Sequence, residues 1–351
     1  MAPAHPHRHP AWFGSVMGTG ALSLAIAAQD ITWQWTWLNP VAVALLLLAS
    51  VLAVVLLPRY VHRLGNRETL RAENADPAHG AMLATLPAGL LVLAVAWGRI
   101  GPSLVPTGLA LSIDGILLVV GLVLAVALGI TWSAAMLRGA IGLEAVNGGW
   151  LIPPVMNLLV PLALAPLIVA NPQAASGLVL AGFAFYGIGA LLFIAILTLL
   201  IARLALREPM PAPMAASLWI PLAPAGMIGL ALLRLLQAAS EAGVPGFSGA
   251  TAGVVVAAMG IGFGLWWAGF AALELHRMRQ SGGVPLHPGW WGFVFPVGAM
   301  SLSIAAVGVA TGVWLVQVLG LLATIVLALL WLYIAARTIR LLLLRPARLA
   351  K

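Results

Sequence analysis

Long apolar runs separated by short polar breaks fill most of the chain. Ten can be drawn, over roughly residues 12–29, 40–57, 80–98, 109–134, 150–170, 175–202, 215–239, 249–275, 289–308 and 311–336. Each approaches the ~20 residues that a helix needs to cross the hydrocarbon core of a bilayer. The basic residues sort by side of these spans. Arg8, Arg59, Arg63, Arg67, Arg71, Arg138, Arg203, Arg207, Arg277, Arg279, Arg337, Arg340, Arg345, Arg348 and Lys351 fall on one side, and only Arg99 and Arg234 near the other. By the positive-inside rule this predicts ten spans with both termini cytoplasmic. Residues 1–11 then form a short cytoplasmic tail, 12–340 the transmembrane domain and 341–351 a basic cytoplasmic tail.

Prolines add a second pattern. The odd-numbered spans carry Pro87, Pro153 with Pro154, Pro221 with Pro224, and Pro296, while the even-numbered spans have none inside. Aligning Pro87, Pro153, Pro221 and Pro296 gives intervals of 66, 68 and 75 residues. A similar step back from Pro87 reaches Met17, where Gly18 takes over the loosening role. The prolines are expected to kink their helices. The pattern predicts an all-α membrane protein of five helical hairpins in a pseudo-five-fold ring, with the odd helices around a central pore and the even ones facing lipid.

Composition agrees. Apolar residues make up 62 % of the 351 and charged residues 7 %, against about 25 % charged in soluble domains. A separate soluble domain has no room. The absence of cysteine excludes disulfides, thiolate metal sites and cysteine nucleophiles. The net charge of +8 is explained by topology and anionic head groups rather than by nucleic acid. The first apolar run has no convincing cleavage site and reads as a retained span.

Candidate chemistry is sparse and points away from an enzyme. The acidic residues are mostly placed in loops, with Asp114 and Glu274 near the ends of spans. No carboxylate stands at mid-span, which favours a passive conduit over a proton-driven carrier. His5, His7 and His9 alternate in a tail read as solvated, and His79, His276 and His287 as interfacial. No metal or cofactor is expected. Ser15, Thr19, Ser23, Thr85, Asn157, Ser301 and Ser303 are the polar groups of the odd spans. Of these, Ser15, Thr19, Thr85, Asn157 and Ser301 are the candidate pore lining; a hydroxyl that caps its own helix is the competing reading. Arg99 and Arg234 stand at similar depth near the outer ends of their spans. They either concentrate anions there, or snorkel to the interface or pair with Asp114, Asp30 or Glu241. Phe295, directly before Pro296, is the candidate gate: Leu86, Ile152 and Ile220 precede the other aligned prolines, and a phenyl ring across a narrow apolar neck excludes hydrated ions.

Three stretches carry a resemblance. Phe13-Gly14-Ser15-Val16-Met17-Gly18-Thr19-Gly20 resembles the first helix of the tellurite-resistance/dicarboxylate transporter family, Trp150-Leu151-Ile152-Pro153-Pro154-Val155 its fifth, and Trp290-Trp291-Gly292-Phe293-Val294-Phe295-Pro296 its ninth. That family includes the bacterial TehA channel, plant slow-type anion channels, malate permeases and sulfite exporters. The Met17–Gly20 run is closer to the malate and sulfite members. The resemblance implies a five-fold ring of hairpins, one pore per subunit, a homotrimer in the bacterial inner membrane, and occlusion by the phenylalanine that maps to Phe295. The expected function is an anion channel or facilitator for small inorganic or carboxylate anions. The alternative is a proton-coupled exporter of sulfite or four-carbon dicarboxylates.

Overall fold

The structure is a computed structural model that describes residues 9–77, 79–139, 141–280 and 282–343. His5, His7, Arg8, Arg345, Arg348 and Lys351 lie outside the described residues. The described residues form no strand. Their α-helices are α1 (Gly14–Trp33), α2 (Leu38–Gly65), α3 (Arg67–Asn74), α4 (Thr85–Ile100), α5 (Thr107–Arg138), α6 (Ile152–Ala170), α7 (Ala175–Leu206), α8 (Leu222–Glu241), α9 (Thr251–Gln280), α10 (Val294–Thr311) and α11 (Trp314–Leu343). All but α3, together with short lead-in turns, are long and apolar enough to cross a membrane, which makes ten spans among the described residues.

The ten helices fall into two classes. In the most apolar stretch of α1, α4, α6, α8 and α10, 78–83 % of residues are buried; in α2, α5, α7, α9 and α11 only 22–28 % are. Each inner helix packs on the outer helix that follows it, and the inner helices touch one another in the cyclic order α1–α4–α6–α8–α10–α1. The outer helices leave Val54, Ile116, Leu191 and Leu273 exposed. So much apolar surface is stable only against lipid or another apolar face.

Hairpin packing relies on missing side chains. A Cβ on Gly229 of α8 would lie 2.0 Å from the Cα of Ala257 on α9, and one on Gly260 2.1 Å from the Ala225 carbonyl oxygen. Backbones this close gain dispersion contacts, which count heavily where lipid supplies no hydrophobic drive between helices.

The aligned prolines do not sit in the interior of the inner α-helices, where they would be expected to kink them. Each inner helix is preceded by a 3₁₀ lead-in: Pro10–Phe13, Gly80–Ala84, Gly148–Leu151, Ala212–Trp219 and Pro288–Phe293. Pro87, Pro154, Pro224 and Pro296 are each the third residue of the α-helix that follows, and Val16 holds that place in α1. The first four N–H groups of a helix have no partner within it, so proline there forfeits no bond. This register corrects the alignment through Pro153 and Pro221: Pro153 is the second residue of α6 and Pro221 caps α8. The corrected intervals, 67, 70 and 72 residues, are more even. Gly18 is not a hinge either. It lies within α1, and a Cβ there would meet Val294 Cγ1 at 2.9 Å, so its role is close approach to α10. The prolines inside helices are Pro161 and Pro166 of α6, and Pro58 of α2, which runs past its apolar window to Gly65. The charged stretch after α2 is also helical: Asn66 Oδ1 accepts from the N–H groups of Glu68 and Thr69 and caps α3.

Candidate functional site

Two cavities lie on the axis of the five inner helices. The larger, of about 450 Å³, is walled by α1, α4, α6, α8 and α10 toward their C-terminal ends, with Thr107 and Leu111 of α5. The smaller, of about 50 Å³, is walled by the first turns of the same five helices and their lead-ins, including Met17, Thr85, Val155, Ala223 and Trp291. Among the described residues, Phe295 alone is on both walls. It is the second residue of α10 and only 6 % exposed. The equivalent places in the corrected register hold Ser15, Leu86, Pro153 and Ala223, so no other inner helix carries an aromatic ring there. Between the cavities the inner helices present residues 17–21, 86–91, 155–159 and 223–227, with no charged group among them. The partition is therefore an uncharged neck, with Phe295 between the two cavities.

The positive ends of five helix dipoles converge beside that neck, because Gly14, Thr85, Ile152, Leu222 and Val294 all begin their α-helices there. Such ends favour negative charge. At the far mouth of the larger cavity stand Arg99 and Arg234. Among the described residues neither has a carboxylate within 4 Å, so the sequence-based pairing with Asp114, Asp30 or Glu241 is not formed. Arg234 Nη1 instead donates to Gln237 Oε1 at 3.0 Å, and Gln237 and Glu241 share the cavity wall.

Of the polar candidates, only Thr85 borders a cavity, and its hydroxyl donates to the Met82 carbonyl at 2.7 Å. Ser15, Thr19, Asn157 and Ser301 stand off both walls. Ser15 donates to the Trp12 carbonyl (2.8 Å) and Asn157 to the Pro153 carbonyl (2.8 Å), each on its own helix or lead-in. Thr19 accepts from Trp331 Nε1 (2.9 Å), and Ser301 shares a hydrogen bond with Thr324 (2.7 Å), both tying inner helices to α11. A periodic reading locates a residue along its helix but not around it, which is why these groups were misplaced.

The lead-ins beside the smaller cavity hold a feature that residue types alone did not reveal. His9, His79 and His287, each the residue just before a lead-in, come together: the His9 ring centroid lies 5.7 Å from that of His79 and 6.0 Å from that of His287. His9 Nδ1 accepts the Ala11 N–H and His287 Nδ1 the Gly289 N–H, both at 3.1 Å. Asn147 Oδ1 caps the third lead-in in the same way, accepting the Gly149 N–H at 2.9 Å. With Nδ1 accepting, His287 Nε2 carries the proton and donates to the Pro213 carbonyl at 2.7 Å. Burial pushes the His9 pKa down to about 3, helped by His79, His287 and Arg63. Burial also lowers His287, against the contact with Pro213 and with a smaller contribution from His79. Nearby, the Glu73 carboxyl is raised by burial despite its ion pair with Arg63 at 3.1 Å. The signal in the sequence was spacing: His9, His79, Asn147 and His287 recur near the repeat interval. Among the described residues no group of three or more His, Cys, Asp or Glu side chains is arranged to hold a metal ion.

Comparison with known proteins places this arrangement. The profile of the voltage-dependent anion channels matches residues 7–339. An uncharacterized transporter of Methanocaldococcus jannaschii is 28 % identical over 298 residues, covering 84 % of this chain and 82 % of the relative. The sulfite efflux pump SSU1 of Arthroderma otae is 28 % identical over 356 residues, covering 94 % and 90 %. That of Trichophyton rubrum is 27 % identical over 355 residues, with the same coverage.

Proposed function

Because the chain belongs to the voltage-dependent anion channel family, we propose that it passes small anions along the axis of its own five inner helices, in a pseudo-five-fold ring, with Phe295 as the gate. The observation that carries this reading is the position of Phe295, alone among the described residues on the walls of both cavities. In this closed arrangement the ring fills a neck where a hydrated ion would lose its water to apolar walls. When the ring turns aside, the two cavities join into one path. Selectivity for anions comes from the helix N-termini at the neck and from the guanidinium groups of Arg99 and Arg234 at the wide mouth.

Sulfite is the leading cargo, followed by four-carbon dicarboxylates and small monovalent anions. The names of the fungal relatives support the first, and a cavity of about 450 Å³ admits any of them. The arginine-rich ends of α2, α5, α7, α9 and α11 all lie on the side of the histidine cluster, which supports a cytoplasmic placement of that cluster. Arg99 and Arg234 then face the outside, as in a protein of the bacterial inner membrane that exports its cargo. The apolar outer helices serve lipid and the neighbours of a homotrimer. The test is efflux of sulfite, malate, nitrate and chloride from proteoliposomes at a fixed voltage. Release of at least one anion well above that from empty vesicles is expected; no release of any of the four refutes the reading.

A further inference from the structure

Asp114 is a buried carboxylate that the path above does not use. It belongs to the outer helix α5, yet it is 0 % exposed. Both carboxyl oxygens are enclosed, and neither has a hydrogen-bond partner. No ion pair within 4 Å engages it among the described residues. Its surroundings place it directly behind the wall of the larger cavity. A Cβ on Gly98 would lie 2.5 Å from Asp114 Oδ2 and 2.8 Å from Pro166 Cγ. Gly98, Pro166 and Leu111, which is one turn before Asp114, all line that cavity. The wall between the carboxyl and the anion path is therefore the bare backbone of Gly98.

The titratable groups around it are few. On α4 the nearest is Arg99, the residue after Gly98. The helix α6 and the turns at Gly80–Ala84 and Gly101–Ser103, which also touch α5, contain no ionisable side chain. The charged helix α3 meets α5 at the other end, near Thr131 and Arg138. Across the cavity stand Arg234 and Glu241. A negative charge on Asp114 would be uncompensated where it lies, so it would draw the Arg99 guanidinium toward itself. That movement would take a cation from the anion cavity. A proton on Asp114 removes the pull and leaves Arg99 to the anion.

We propose that Asp114 is a proton-binding site linked to the anion site of the Arg99–Arg234 cavity. A proton passes from cavity water to a carboxyl oxygen of Asp114 as the anion binds, and returns to that water as the anion leaves and Arg99 turns to the carboxylate. By linkage, proton and anion each strengthen the binding of the other. The proposal rests on the anion path proposed above and adds to it a residue that makes its affinity depend on pH.

The experiment measures flux of nitrate and of malate, neither of which takes up a proton at neutral pH, into proteoliposomes of the full chain over a range of outer pH. For the wild type, the half-saturating anion concentration should fall by up to about tenfold for each pH unit of acidification. In Asp114→Asn that dependence should vanish, and in Asp114→Glu it should persist with a shifted midpoint. An Asp114→Asn protein that keeps the wild-type dependence overturns the proposal while leaving the anion path intact. No flux of either anion through the wild type overturns the path and this proposal with it. Should Asp114→Asn fail to fold, a pH dye in weakly buffered wild-type protein decides: proton uptake on adding nitrate or malate is expected, and none overturns it.

Discussion

Replacing Phe295 by alanine tests the gate most directly. Phe295 is 6 % exposed and borders both cavities. Burying a phenylalanine side chain is worth about 1.5–3 kcal/mol relative to leaving it exposed. If the gate opens by carrying this ring out of the neck, the closed state is favoured by about that amount. Its removal should then raise flux about ten- to hundredfold, at 1.36 kcal/mol per decade. The stability cost should fall at or below the low end of the ~3–5 kcal/mol typical of phenylalanine truncation, because the ring borders a cavity on both faces and makes fewer contacts than a core residue. The assay is anion efflux from proteoliposomes under a potassium–valinomycin potential, with Phe295→Leu as an intermediate. Expected flux rises from wild type through Phe295→Leu to Phe295→Ala. A folded Phe295→Ala protein in the wild-type oligomeric state, passing anions no faster than the wild type, would refute the reasoning.

Other outcomes follow from the same geometry. Arg234→Gln should lower anion flux about tenfold at low salt and have little effect near 1 M salt, where the Debye length is about 3 Å; a salt-independent defect would point to packing instead. His9 has its pKa depressed from 6.5 to about 3, so the unfolded chain binds the proton that the folded chain excludes. Stability from this group should be complete above pH 6.5 and decline by about 1.4 kcal/mol per pH unit as the pH falls toward 3. His9→Asn should flatten that slope in thermal unfolding, and an unaltered slope counts against the assignment. Gly229→Ala should lower the thermal midpoint, since its Cβ would lie 2.0 Å from the Ala257 backbone, whereas Gly187→Ala meets nothing within 4 Å and should leave it equal or slightly higher. Equal midpoints for the two variants would contradict the close packing of α8 and α9.

Ten spans and five hairpins were legible because both are written in one dimension. A membrane helix must satisfy its backbone within itself, so its length and apolar character show in the sequence alone. The alternation of proline-bearing and leucine-rich spans likewise marked which helices are buried. Phe295 stood out as the aromatic residue beside an aligned proline, and the structure places it between the two cavities. Arg99 and Arg234 were matched in depth, and they do share one cavity.

The rest depended on direction around each helix and on neighbours distant in the chain. Thr19 and Ser301 were on the right helices but turn toward α11. Asp114 looked like an end-of-span residue on an outer helix, and only the approach of Gly98 shows that its carboxyl is buried beside the larger cavity. Three scattered histidines became one cluster when hairpins 1, 2 and 5 met. By itself the sequence determined which segments enter the membrane and which of them lie inside, since hydrophobic length and repeat spacing are properties of the chain. Only the tertiary structure decided which side chains face the axis. That is set by helix rotation, and rotation is fixed by contacts such as Gly18 against Val294 and Gly229 against Ala257, between residues whose meeting no local pattern encodes.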